Sequence, residues 1–264
     1  MAGIWESQNK VIPAAYINLV TNTPLSITAG DRGTVALAQE LSVGDDGAIY
    51  RITATEANYP ENAIAADKKL ANLALLGAKT VLLYKLPPNH TDDHVEAMLA
   101  KLKTEDANVI VYPYLKSTTS ASTAQQTIAN WVKAMQEEEG KNITAVLTNY
   151  VADSQYVINN VQGVTLSDGS TLTAAETGAW IGGVTAGAKI TESNTARKFV
   201  GAIDVTPRMT KTEMETAIKA GKLILTVDKS QNVTVVADVN SLTSTTQTLG
   251  DIMKQNRSVR TACG

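Results

Sequence analysis

One cysteine, two histidines and one phenylalanine in 264 residues leave most side-chain chemistries without raw material. The lone Cys263 supplies neither an internal disulfide framework nor a paired-thiolate metal site. Lysine plus arginine (23) falls short of aspartate plus glutamate (26), so there is no basic excess of the kind that tracks a nucleic-acid backbone. No apolar run comes near the roughly 20 residues that a helix needs to cross a bilayer. The opening Met1–Glu6 has neither a basic nor an apolar signal region, and a soluble chain made in a cytoplasm is expected.

What is present is 44% hydrophobic residues, enough to bury one large core. Residues 1–30 lack helical periodicity and read as an extended arm. Within it Ile12, Tyr16, Ile17, Leu19 and Val20 offer a strand edge, and no local hairpin partner follows. That strand must pair with something distant or with another chain.

From Gly33 the pattern changes to alternating strands and helices. Thr34–Ala38 and Ala48–Ile52 read as strands joined by the turn residues Gly44–Gly47. Residues 62–77 place Ala66, Leu70, Leu73, Ala74 and Gly77 on one helical face, and Thr80–Tyr84 follows as a nearly continuous apolar strand. Val95, Met98, Leu99 and Leu102 form a second helical stripe before the strand Val109–Tyr112. Ile128, Trp131, Val132 and Met135 form a third, stopped by Gly140, before Ile143–Leu147. Three helix–strand alternations predict an α/β domain with a mostly parallel central sheet.

Beyond this, Tyr156–Thr173 reads as a hairpin around Ser167–Gly169. A helix from about Thr173 carries Gly178, Gly182, Gly183 and Gly187, whose cost in helix propensity points to close packing against another backbone. Thr210 and Glu213 have the spacing of a capping box. Leu223–Val227 and Val233–Ala237 suggest a second hairpin. Residues 246–260 look like the opening helix of a further element, with Leu249, Ile252 and Met253 as its apolar positions.

Chemistry is scarce. His90, Asp92, Asp93 and His94 are the one cluster that suggests acid–base or metal work, and the spacing fits a helix start. Gly182–Lys189 echoes a phosphate loop, but Ala188 stands where the lysine should be and the segment reads as helix. Glu137–Glu139 reads as a solvated helix end. No catalytic residue, cofactor or metal ligand is expected. Lys254, Arg257 and Arg260 recur every third residue on one side of the final helix, as a solvated face or as a surface for an acidic partner.

The order of these short motifs carries more than any one of them. Val11–Tyr16, Asp31–Gly33 and Ala78–Leu86 come first. Then follow Leu172–Ala188, Gly201–Val205, Thr210–Glu213, Ala220–Lys222, Leu223–Leu225, Val239–Leu242 and Gln255–Thr261. That succession resembles the tail sheath proteins of contractile phage tails, in particular the compact sheaths of Gram-positive prophages and phage-like particles. The sequence departs from that pattern at Ala14–Ala15, where glycine commonly follows the proline, and at Pro87–Pro88, which leads straight into a helix where many relatives insert a β-sandwich.

The resemblance implies a subtilisin-like sheath core spanning 31–244, after the arm at 1–30. Residues 245–264 would begin a C-terminal domain that is mostly missing, since such sheaths continue past the motif ending at Thr261. It implies hexameric rings of the chain itself, stacked helically around a tail tube protein and bounded by baseplate and terminator proteins. No direct nucleic-acid contact and no membrane insertion are implied. The arm residues would add strands to neighbouring subunits, and Lys254, Arg257 and Arg260 would face the tube. The particle, phage or bacteriocin-like, would be assembled in the bacterial cytoplasm. The competing expectation is a cytoplasmic α/β enzyme of hydrolase type with an unrecognised site.

Overall fold

The computed structural model describes residues 32–54, 58–115, 122–189 and 192–244. In chain order the elements begin β1 (Thr34–Glu40), β2 (Ile49–Thr53), α1 (Ala65–Leu75), β3 (Thr80–Leu86), α2 (Asp92–Leu102), β4 (Val109–Val111), α3 (Ser122–Glu137) and β5 (Thr144–Thr148). They continue β6 (Val157–Asn160), β7 (Gly163–Leu166), β8 (Thr171–Leu172), α4 (Ala174–Gly187), β9 (Ala202–Thr206), α5 (Lys211–Lys219), β10 (Lys222–Leu223), β11 (Leu225–Val227) and β12 (Val233–Val235).

Among the described residues, seven strands form one sheet in the order β10-β6-β5-β4-β1-β3-β2. Every neighbouring pair is parallel except β2 with β3. The expected α/β class with a mostly parallel sheet is therefore the observed one. The parallel strands β1, β3, β4 and β5 are mostly apolar and buried because the sheet is covered on both sides, and successive side chains serve opposite faces. Val35, Leu37, Val81, Leu83, Val109, Val111 and Val146 meet one core. Ala36, Ala38, Tyr84, Leu86, Ile110, Ala145 and Leu147 meet the other.

Helices α2 and α3 cover the second face, and Val95, Met98, Leu99, Leu102, Ile128, Val132 and Met135 are buried there as their spacing predicted. Trp131 is only partly buried. Helices α1 and α4 cover the first face. On α1 the expected Leu70, Leu73 and Ala74 are buried, as is Gly77 just beyond it, but Ala66 is exposed and Asp67 is buried in its place. Asp67 accepts the Ser42 amide and hydroxyl (3.0 and 2.6 Å) and the Ile64 amide (3.1 Å), which turns this side of the first turn inward.

The glycines of α4 mostly fit the close-packing reading. A Cβ on Gly183 would lie 2.1 Å from the Ala74 carbonyl oxygen, one on Gly187 1.9 Å from that of Gly77, and one on Gly182 2.3 Å from Val111 Cγ2. Gly178 differs, with only Val146 Cγ1 at 3.5 Å. The expected capping box forms at α5, Thr210 with Glu213, and α4 opens with a second one, Thr173 with Glu176.

The strands on either side of the Gly44–Gly47 turn form as expected, but they do not make a hairpin, because β3 lies between β1 and β2 in the sheet. Tyr156–Thr173 is not one hairpin either: β6 runs parallel to β5 in the main sheet, and only β7 and β8 pair around Ser167–Gly169. The β5–β6 connection makes its return with no helix, and Asn149 (φ 51°) and Asp153 (φ 46°) take left-handed conformations there that asparagine and aspartate tolerate. The hairpin β11–β12 forms as expected, although Lys222–Leu223 joins the main sheet. A small layer, β8-β7-β9 with β11–β12, packs against α4, and Trp180 stacks flat on Phe199 at 4.2 Å.

Candidate functional site

In an open parallel sheet, chemistry collects at the carboxyl ends of the strands, where loops from different crossovers meet. Here β1 ends at Glu40, β3 leads into the loop bearing His90, and β4 runs out through Tyr112 and Tyr114. These four side chains converge. His90 Nδ1 is 2.7 Å from Glu40 Oε1 and its Nε2 is 2.6 Å from the Tyr112 hydroxyl. The Glu40 amide donates to the Tyr114 hydroxyl at 2.5 Å, and the Tyr114 ring meets those of His90 and Tyr112 at 4.7 and 5.3 Å between centroids.

The order carboxylate–imidazole–hydroxyl matches that of a nucleophilic triad, so its electrostatics decide what it can do. The Tyr112 hydroxyl is pushed well above its ordinary value of 10.0, first by burial and then by Tyr114, Asp92 and Glu40. Burial likewise pushes up Tyr114. A nucleophile needs the opposite shift. With neutral phenols the simplest consistent arrangement has the Tyr112 O–H donating to His90 Nε2 and the Nδ1–H donating to Glu40. The network ties three strand ends together and shows no activated atom.

The sequence cluster around α2 therefore divides. His94 accepts the Thr91 amide at 3.0 Å and, with Asp92 and Asp93, forms the helix start that was expected. His90 does not belong to that cap; it is buried among tyrosines. Glu40, Tyr112 and Tyr114 were not singled out as site residues, and no spacing signal marks residues 22 and more positions apart. Elsewhere, Gly182–Gly187 is the C-terminal part of α4 and not a loop opening a helix, so it has no cradle for a phosphate. Glu139 is exposed at the end of α3 and pairs with Lys103 at 2.7 Å, which holds its carboxyl below the usual range. Ile12, Tyr16, Ile17, Leu19, Val20, Lys254, Arg257 and Arg260 lie outside the described residues. Among the described residues no group of His, Cys, Asp and Glu is placed to hold a metal.

The family model described as the phage tail sheath protein central domain matches residues 89–241, more than half of the chain. The chain belongs to the phage tail sheath protein family. It is 28% identical to the phage-like element PBSX protein XkdK of Bacillus subtilis over 87% of this chain and 48% of that one. It is 27% identical to the tail sheath protein of Clostridium phage phiCD119, covering 82% of this chain and 60% of that one. The crystal structure of a sheath tail protein from Desulfitobacterium hafniense superposes with a TM-score of 0.78 at 25% identity, over 94% of this chain and 80% of that one. The chain spans about half the length of the curated relatives it matches, 48% and 60% in the two cases above.

Proposed function

We propose that this chain is the core of a contractile tail sheath subunit, polymerising as a helical array around a tail tube and contracting to drive the tube through a host envelope. One observation carries the reading: the sheath family match falls on the same α/β body that superposes on a solved sheath protein over 94% of this chain. The work is mechanical. Subunits shift largely as rigid bodies from one lattice to another, which suits a doubly covered sheet with two dense cores.

In this reading residues 1–30 are an arm whose Ile12, Tyr16, Ile17, Leu19 and Val20 add a strand to a neighbouring subunit, bound by main-chain hydrogen bonds. Residues 31–244 are the core, and 245–264 open a further domain whose Lys254, Arg257 and Arg260 face the tube. The partners are other copies in stacked hexameric rings, the tube protein, and the baseplate and terminator proteins. The location is the virion tail, after assembly in the bacterial cytoplasm. The raised tyrosines beside His90 support a non-catalytic role.

Electron microscopy of the polypeptide at the full length of its relatives tests this. Striated tubes or stacked rings are expected, and deletion of residues 1–20 should abolish them while the core stays folded. Monodisperse particles under every condition that polymerises related sheaths would overturn the reading.

A further inference from the structure

Asp153, in the β5–β6 connection, gathers four donors on one carboxylate. Its Oδ1 accepts the Thr243 amide at 2.7 Å, the Thr243 hydroxyl at 3.0 Å and the Ser244 amide at 2.9 Å. Its Oδ2 takes the Ser244 hydroxyl in a short hydrogen bond. The left-handed backbone at Asp153 (φ 46°) is part of this geometry. A second set of contacts stands just upstream and does not involve this carboxylate. The Ser241 amide donates to the Val157 carbonyl at 2.8 Å, and the Ser241 hydroxyl donates to the Ser154 carbonyl at 3.0 Å. Residues 241–244, the last described stretch, are thus held to one loop by two separate fastenings.

We propose that Asp153 is a latch that fastens Thr243 and Ser244 to the β5–β6 connection independently of the Ser241 contacts. The residue type follows from the task. Two consecutive amides and two hydroxyls need about four lone-pair sites, which an ionised carboxylate supplies and an amide side chain does not. Consecutive free amides resemble the start of a helix, where a carboxylate is the favoured partner, but here it comes from a loop distant in sequence. The neighbouring charged and titratable groups are Lys133 and Glu137 of α3 and Tyr156 of the same loop, which line a shallow groove with Asp153 and Leu242.

The latch is not a sensor of mild acid. The Ser244 hydroxyl, then the Ser244 and Thr243 amides, hold the Asp153 carboxyl far below its ordinary value of 3.8. A carboxylate depressed in the folded state contributes fully above its unfolded value and is lost only as pH falls through the folded one. The contacts therefore persist from neutrality down to about pH 4.

Amide hydrogen exchange on the whole chain tests the proposal. Asp153→Gly accepts the left-handed backbone and removes the carboxylate. It should speed exchange at Thr243 and Ser244 by on the order of tenfold or more, while the Ser241 amide is unchanged. Asp153→Asn tolerates the same backbone with one acceptor oxygen and should fall between. Unaltered exchange at Thr243 and Ser244 in Asp153→Gly would overturn the latch. So would an equal rise at Ser241, which would make Asp153 a support of the whole segment and not of Thr243 and Ser244 alone. Wild-type protection at both amides, corrected for intrinsic rate, should hold between pH 7 and about 4; its loss near pH 6 would refute the carboxylate assignment.

Discussion

On one face of the main sheet, α2 and α3 bury stripes of large apolar side chains, Val95, Met98, Leu102, Ile128 and Val132 among them. On the other face, α1 and α4 meet through Ala74, Gly77, Gly183 and Gly187, with carbonyl oxygens where side chains would otherwise stand. The first face is held by side-chain volume, which can relax a little when one group is removed. The second is held by backbone approach, which leaves no slack when one group is added. Helix α4 is buried nearly all round because it also supports the small layer containing β7 and β9. Its packing partner therefore had to come close enough for both layers to share it.

The largest effect should follow a substitution that forces those backbones apart. Gly183→Val places atoms inside the Ala74 carbonyl, and a loss of about 4 kcal/mol or failure to fold is expected by chemical denaturation. A loss below about 1 kcal/mol would mean that α1 and α4 have more freedom than the geometry allows. On the other face, Met98→Ala leaves a cavity against α2 and α3 and should cost about 3 kcal/mol with folding retained. A measurement equal to that of Gly183→Val would erase the distinction between the faces.

Tyr112→Phe removes the donor to His90 Nε2 and should cost about 1–2 kcal/mol. Its effect on assembly should be no greater than its effect on stability. Complete loss of tubes from a fully stable variant would give the cluster a role beyond tying strand ends together. The smallest change sharpens the comparison most. Gly178→Ala would meet only Val146 Cγ1 at ordinary contact distance, so it should be neutral or stabilise by up to about 1 kcal/mol through helix propensity. Two glycines of one helix would then respond with opposite sign.

Several features were readable before any tertiary information. The α/β class, the stripes of α2 and α3, the helix start near Thr173 and the cap at Thr210 all follow from contacts within a few residues, where period and hydrogen-bonding type leave a direct trace. Even the glycines of α4 announced close approach, since their helix cost called for a compensation. Which of them touch backbone was decided only by the fold, which set Gly183 on Ala74 and left Gly178 against a side chain. The same holds for strand order. The sequence joins β1 to β2 by a turn, and the sheet seats β3 between them, paired to one on each edge while the two cores cover its faces. The inward turn of Asp67 toward Ser42, the Glu40–His90–Tyr112–Tyr114 network and the grip of Asp153 on Thr243 and Ser244 join residues from 22 to 91 positions apart. Such polar contacts have no period, so only the folded chain could bring them together.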